Sequence, residues 1–189
     1  MTVGDALFLA LLALVGAARV AELLVARRLT QAARARGAPP ERERAFAAMV
    51  ALHVLPFVAA PVEVIALDRP FHAPVFTACA VLLALLAVAR VWTLRTLGGR
   101  WNVRIVQPDV VVDTGPYRWV RHPNYAIVIV ELLVLPLAHG AWITALVVSA
   151  LNALVLRRRI PAEERVLAAV PGYTERMGAK PRFLPRWGA

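Results

Sequence analysis

"GPYRWVRHPNYAIVIVELLVLPL", residues 115–137, sets Arg118, Arg121 and His122 directly before an apolar run and then carries Glu131 into it. An ionisable side chain inside hydrocarbon costs about 3 kcal/mol or more unless it faces a partner or a water-filled cavity. Pro123 has no backbone N–H to offer and pushes His122 toward extended geometry, so a helix begins at about this point. The stretch therefore reads as a membrane helix whose polar start sits at the membrane border. Either the anchor is badly placed or the border is where the protein works.

Composition favours a membrane protein. Of 189 residues 60% are hydrophobic, and the mean hydropathy is +0.63, whereas a soluble domain of this size is about half apolar. The net charge of +10 raises the question of nucleic acid, but all of the 22 basic residues except Lys180 are arginines lying between apolar runs. Loop charge of that kind orients helices in a bilayer, and no nucleic-acid partner is expected. The single cysteine, Cys79, excludes an internal disulfide, and four histidines without ligand spacing point to no metal site. The N-terminal apolar stretch is too long for a signal-peptide core and reads as a retained helix.

Three apolar runs, Ala6 to Ala26, Ala45 to Leu67 and Ala73 to Leu94, are each long enough to cross as a helix. After a Gly-, Pro- and Asp-broken stretch come two shorter runs, Tyr125 to Ala138 and Ala141 to Leu156, joined by "HG". So short a joint predicts an antiparallel hairpin. Its first arm, about 21 Å as a helix, is short for a full crossing. Arginines concentrate in alternate loops: Arg27, Arg28, Arg34, Arg36, Arg42 and Arg44 in the first, Arg69 alone in the second. Arg95, Arg100, Arg104, Arg118 and Arg121 follow in the third, and Arg157 to Arg159 come after the hairpin. The bias predicts an all-α integral membrane protein of about five spans with its N-terminus outside and its C-terminus in the cytoplasm. The chain reads as one structural domain, residues 1–94 supplying three helices and 95–189 the functional region. The tail from Ile160 onward is expected to restart as a short helix with Pro161 in its first turn and to end in an irregular lid.

All the chemistry-bearing clusters fall on one predicted side. In "RRRIPAEERVL" Arg159 and Glu163 are four apart and share a face if the helix runs through Pro161 or restarts there, with Glu164 about 100° round. A stop-transfer arginine cluster beside a surface ion pair would look the same. His122 and Tyr125 sit around a helix start, where free N–H groups and the helix dipole favour an anion; an interfacial aromatic belt is the plainer account. Within the spans, Arg19 and Glu22 can pair across one turn, and His53 and Glu63 read as packing groups. Glu131 and Asn152 are placed to line a polar pocket in the hairpin. No glycine-rich nucleotide loop follows a strand.

Taken together, "TGPYRWVRHPNY", "RIPAEERVL" and "PGYTERMGAKPRFLP" resemble, in order and spacing, the isoprenylcysteine carboxyl methyltransferase family, over about residues 90 to 185. The resemblance implies an integral-membrane methyltransferase holding S-adenosylmethionine in a cytoplasmic cavity formed by the last hairpin and the C-terminal segment. By matching position it implies catalytic roles for Arg159 and Glu163, and cofactor binding by Arg121, His122, Pro123, Tyr125 and Glu164. The acceptor pocket is expected at Trp101, Asn102, Glu131 and Asn152. "LGGRWNVRI", "RHPNYAIVIVELLVLPL" and "LNALVLRRRIPAEE" further resemble a bacterial subgroup that O-methylates alkylpyrones or phenolic lipids, which would place the protein in a bacterial cytoplasmic membrane. Two departures stand out: no glycine follows soon after Tyr125, and Glu131 fills a place usually small or apolar. The other readings are a phosphatidylethanolamine N-methyltransferase, an NADPH-dependent membrane reductase of related architecture, and a non-enzymatic membrane scaffold or transporter.

Overall fold

The structure is a computed structural model and describes residues 2–41 and 46–185. Arg42 and Arg44 of the first arginine loop, Ala45 at the start of the second predicted span, and residues 186–189 lie outside the described residues. Among those described, all regular structure is helical: α1 (Val3–Ala35), α2 (Phe46–Ala66), α3 (Ala73–Leu97), α4 (Pro123–Leu137), α5 (Trp142–Ala168) and α6 (Tyr173–Met177). Two 3₁₀ turns, Gly98–Arg100 and Gly115–Arg118, punctuate the segment between α3 and α4.

α1 opens on a capping box, Thr2 Oγ1 accepting from the Asp5 N–H at 3.2 Å and Asp5 Oδ2 from the Thr2 N–H at 2.6 Å. It continues past Ala26 to Ala35, because arginine, alanine and glutamine are good helix formers and only the Gly37 turn stops them. α1, α2 and α3 are each long and apolar enough to cross a membrane, and the protein is an all-α integral membrane protein. α4 has 15 residues, about 22 Å, and pairs with the apolar first half of α5. The expected five spans are therefore three full ones and a short hairpin.

α5 departs from expectation. It does not end near Leu156 and restart, but runs unbroken for 27 residues with Pro161 in its interior. The proline removes one ladder hydrogen bond, and cross-bundle bonds from either side of it, described below, hold the helix continuous.

α4 packs between α3 and α5, α2 lies against α5, and α1 touches α2 and α3 from outside. One apolar core draws on four of these helices through Phe8, Leu12, Ala60, Leu83 and Leu135. Buried Glu63 caps the start of α5, accepting from the Ile143 and Thr144 N–H groups at 3.1 and 2.6 Å, from Thr144 Oγ1 at 2.8 Å and from Arg69 at 2.9 Å. His53 Nδ1 lies 2.8 Å from the Met49 carbonyl one turn back. Arg19 and Glu22 do pair, at 3.0 Å, but as half of a larger group. Arg90, 6% exposed, donates through Nε to both Glu22 oxygens at 2.9 and 3.0 Å and through Nη1 to Glu131 at 3.0 Å, with Arg19 3.6 Å from Glu131. Two arginines and two glutamates thus neutralise one another between α1, α3 and α4.

Candidate active site

At the arginine-rich end, α3 gives way to an extended segment, residues 101–114, tied down from three directions. Asn102 Oδ1 accepts from Thr30 Oγ1 of α1 at 2.9 Å and from the Arg104 N–H at 3.0 Å. The Ile105 carbonyl accepts from the Glu41 N–H at 2.9 Å. The Arg104 guanidinium lies 4.0 Å from the centroid of the Phe46 ring. Further along, Gly115 takes φ +53°, and a Cβ there would sit 2.6 Å from Thr96 Oγ1, so only glycine lets the segment lie this close to α3.

Between this segment, the start of α4, the second half of α5 and α6 is a cavity. The space within it, counted out through its open mouth into solvent, is about 1060 Å³. Trp101, Val103, Val111, Val112, Leu167, Val170 and Met177 give it an apolar lining. Its polar wall comes from Arg121, His122, Asn124, Tyr125, Arg159 and Glu163.

Three of these form one junction. Arg159 Nε donates to the Tyr125 hydroxyl at 2.7 Å, and that hydroxyl in turn donates to Glu163 Oε2. Arg159 Nη2 donates to the Val103 carbonyl, joining the junction to the opposite wall. Tyr125, placed by the sequence among cofactor residues, thus bridges the two residues predicted to be catalytic.

His122 occupies the position just before α4 and is 4% exposed. Its Nε2 lies 3.1 Å from Glu164 Oε1. Glu164 does not line the cavity. It turns toward the tail, meeting Arg121 at 3.1 Å and Arg182 Nε and Nη2 at 3.1 and 2.7 Å. The Arg121 and His122 N–H groups donate to the Pro181 and Arg182 carbonyls, both at 2.9 Å, and Lys180 Nζ donates to the Tyr117 carbonyl at 2.9 Å. The expected lid is thus a strap buckled to the α4 start by Glu164.

Burial alone would raise the Glu164 carboxyl, but hydrogen bonds from Arg182 and His122 and the Arg121 charge overcome it and hold the group below the ordinary value of 4.5. A depressed folded value means that the buckle is complete above about pH 4.5 and opens as the pH falls through the lower folded value. Hydrogen exchange at the Arg121 and His122 amides, corrected for intrinsic rate, is expected to accelerate below that point. Glu164→Gln is expected to accelerate it already at neutral pH.

Several expected pocket residues lie elsewhere. Glu131 does not line the cavity: six residues beyond Tyr125, it points about 240° round α4, toward Arg90 and Arg19 and away from α5. Asn152 is buried on α5, two turns deeper than Arg159. Pro123 is buried as the first residue of α4 and shapes the helix start without reaching the cavity. Trp101 and Asn102 do line it.

The residues present suit a polar, nucleoside-type ligand. Asn124 Oδ1, Arg121 Nε and the Tyr173 hydroxyl belong to cavity-lining residues and are buried with no hydrogen-bond partner in the protein. Tyr173 and Arg182 both fall in the "PGYTERMGAKPRFLP" stretch, but nothing in it marks Tyr173 as a cavity residue or Arg182 as the partner of Glu164.

With this site in view, comparison with known proteins is informative. The isoprenylcysteine carboxyl methyltransferase (ICMT) family matches residues 77–169, a span from α3 through α5 that includes the whole junction. The uncharacterized protein YpbQ of Bacillus subtilis is 36% identical over 163 residues, 85% of this chain and 96% of that protein. The cobalt-zinc-cadmium resistance protein CzcN of Cupriavidus metallidurans is 34% identical over 108 residues, 54% of this chain and 45% of its own length. The chain belongs to the ICMT family and is a membrane methyltransferase.

Proposed function

We propose that the protein transfers the methyl group of S-adenosylmethionine to an oxygen of a lipophilic acceptor, working in a bacterial cytoplasmic membrane with the cavity open to the cytoplasm. One observation carries this reading. The Arg159–Tyr125–Glu163 junction sits on the wall of a cavity that also presents unpaired buried polar atoms and an apolar lining.

When bound, the cofactor supplies an electrophilic methyl group on a sulfonium. Arg121, His122 and Asn124 stand around the α4 start, where the helix dipole and open N–H groups favour a carboxylate. Glu164 acts one step removed, orienting His122 and Arg121. Arg159 aims the acceptor oxygen, and alignment of the reacting groups supplies much of the barrier reduction. A carboxylate acceptor, as on an isoprenylcysteine, is already anionic and needs only aiming. A phenol or hydroxypyrone must lose a proton, which Glu163 accepts directly or through the Tyr125 hydroxyl. The acceptor's chain comes from the lipid side and the cofactor from the aqueous side, which suits a site at the membrane border.

The test supplies radiolabelled S-adenosylmethionine to membranes carrying wild type or Glu163→Gln, with a lipid extract containing alkylpyrones and alkylresorcinols. A labelled lipid is expected with wild type and is expected to fall about a hundredfold with the variant. Label in phosphatidylethanolamine derivatives would move the acceptor from oxygen to nitrogen. No label and no binding of S-adenosylhomocysteine by folded protein would overturn the reading.

A further inference from the structure

The chemistry above leaves Tyr173 unused. It is 8% exposed, lines the cavity, and its hydroxyl is buried with no partner in the protein. Its ring is fixed: Gly172 at φ +79° turns the chain after Val170, and the Tyr173 N–H donates to the Val170 carbonyl at 3.1 Å. Around the ring are Val111, Tyr117, Val170 and Met177, with Val112 and Leu167 beside them. A buried polar group left unpaired is costly, so a ligand is the natural partner for this one.

The surroundings restrict what that partner is. The charges that reach the hydroxyl, Arg121 against Glu163 and Glu164, oppose a carboxylate on balance, and a sugar would set its hydroxyls against valines and a methionine, losing water without replacement. A flat heterocycle offers apolar faces to those side chains and a polar edge to the hydroxyl. We propose that Tyr173 recognises the amine-bearing edge of the cofactor's purine, its hydroxyl hydrogen-bonding that edge while the apolar side chains around it cover the faces. The proposal rests on the methyltransferase reading. Burial pushes the Tyr173 hydroxyl up to about 12, so at neutral pH it stays protonated and both donates and accepts.

The experiment is equilibrium binding to the purified full chain in detergent, with three probes. S-adenosylhomocysteine carries base, ribose and amino acid; 5′-methylthioadenosine lacks the amino acid; S-inosylhomocysteine has a carbonyl in place of the purine amine. Tyr173→Phe keeps the ring packing and is expected to weaken the first two probes alike, by about five- to tenfold. Wild type is expected to bind the inosyl probe more weakly than the adenosyl one, and Tyr173→Phe to lose most of that discrimination. Equal affinity of wild type and variant for both adenosyl probes would overturn the proposal. So would a loss confined to S-adenosylhomocysteine, which would assign the hydroxyl to the amino-acid end. If the variant fails to fold, indifference of wild type to the purine amine overturns the proposal by itself. Failure of wild type to bind any of the three would instead remove the methyltransferase reading.

Discussion

Arg159→Ala is expected to lower methyl transfer by about a thousandfold, the upper part of the range for a group that orients and stabilises charge at the reacting centre. Arg159 is 5% exposed, and it donates to two different walls, the Tyr125 hydroxyl on α4 and the Val103 carbonyl on the 101–114 segment. Removal leaves both acceptors facing the cavity and takes away the fixed positive charge held at the junction. Lysine keeps the charge but cannot present two donors in a rigid plane, so Arg159→Lys is expected to recover no more than about a tenth of the activity. Affinity for S-adenosylhomocysteine is expected to change less than tenfold in either variant, because the cofactor side of the cavity is built from α4 and α6. Single-turnover rates with saturating labelled cofactor separate the two effects. A loss of less than tenfold in Arg159→Ala would remove the residue from the chemistry.

Arg90→Leu is expected to be the most destabilising single change in the membrane part, by about 3–5 kcal/mol, the range found when one partner of a buried ion pair is removed. Glu22 and Glu131 would lose their shared partner, leaving Arg19 alone to serve two carboxylates. The double change Arg90→Leu with Glu131→Leu leaves Arg19 and Glu22 as a neutral pair and is expected to restore much of the loss. Melting temperatures in detergent and the yield of monodisperse protein check both. A single variant as stable as wild type would mean that the four charges contribute nothing to holding α1, α3 and α4 together.

How much of this was legible in the sequence varies with the range of the contacts involved. The spans were legible because apolar runs bounded by arginines report burial in lipid directly. The ends were not: arginine does not stop a helix, so α1 runs on to Ala35 and α5 through Pro161. Arg159 and Glu163 fell on one face because four residues is one helical turn, a local relation. Their bridging by Tyr125 depends on how α4 meets α5. Glu131 shows the limit well. A carboxylate in an apolar run must face a partner, but the run does not say on which side, and Arg90 and Arg19 stand opposite the cavity. The 101–114 wall is held by Thr30, Glu41 and Phe46, each distant in sequence, and no local pattern announces them.

Pro161 lies between Arg159 and Glu163, at the point where the α5 ladder lacks a rung. The spacing of those two side chains is therefore braced sideways, through the Tyr125 hydroxyl, more than it is stiffened lengthwise by the helix. The last turns of α5, α6 and the strap lie beyond that missing rung, braced close to it by the Tyr125 hydroxyl and further out by the Glu164 buckle and the strap carbonyls. Cutting the inner brace, as in Tyr125→Phe, would slacken the alignment of Arg159 with Glu163 while the outer ties stay fastened.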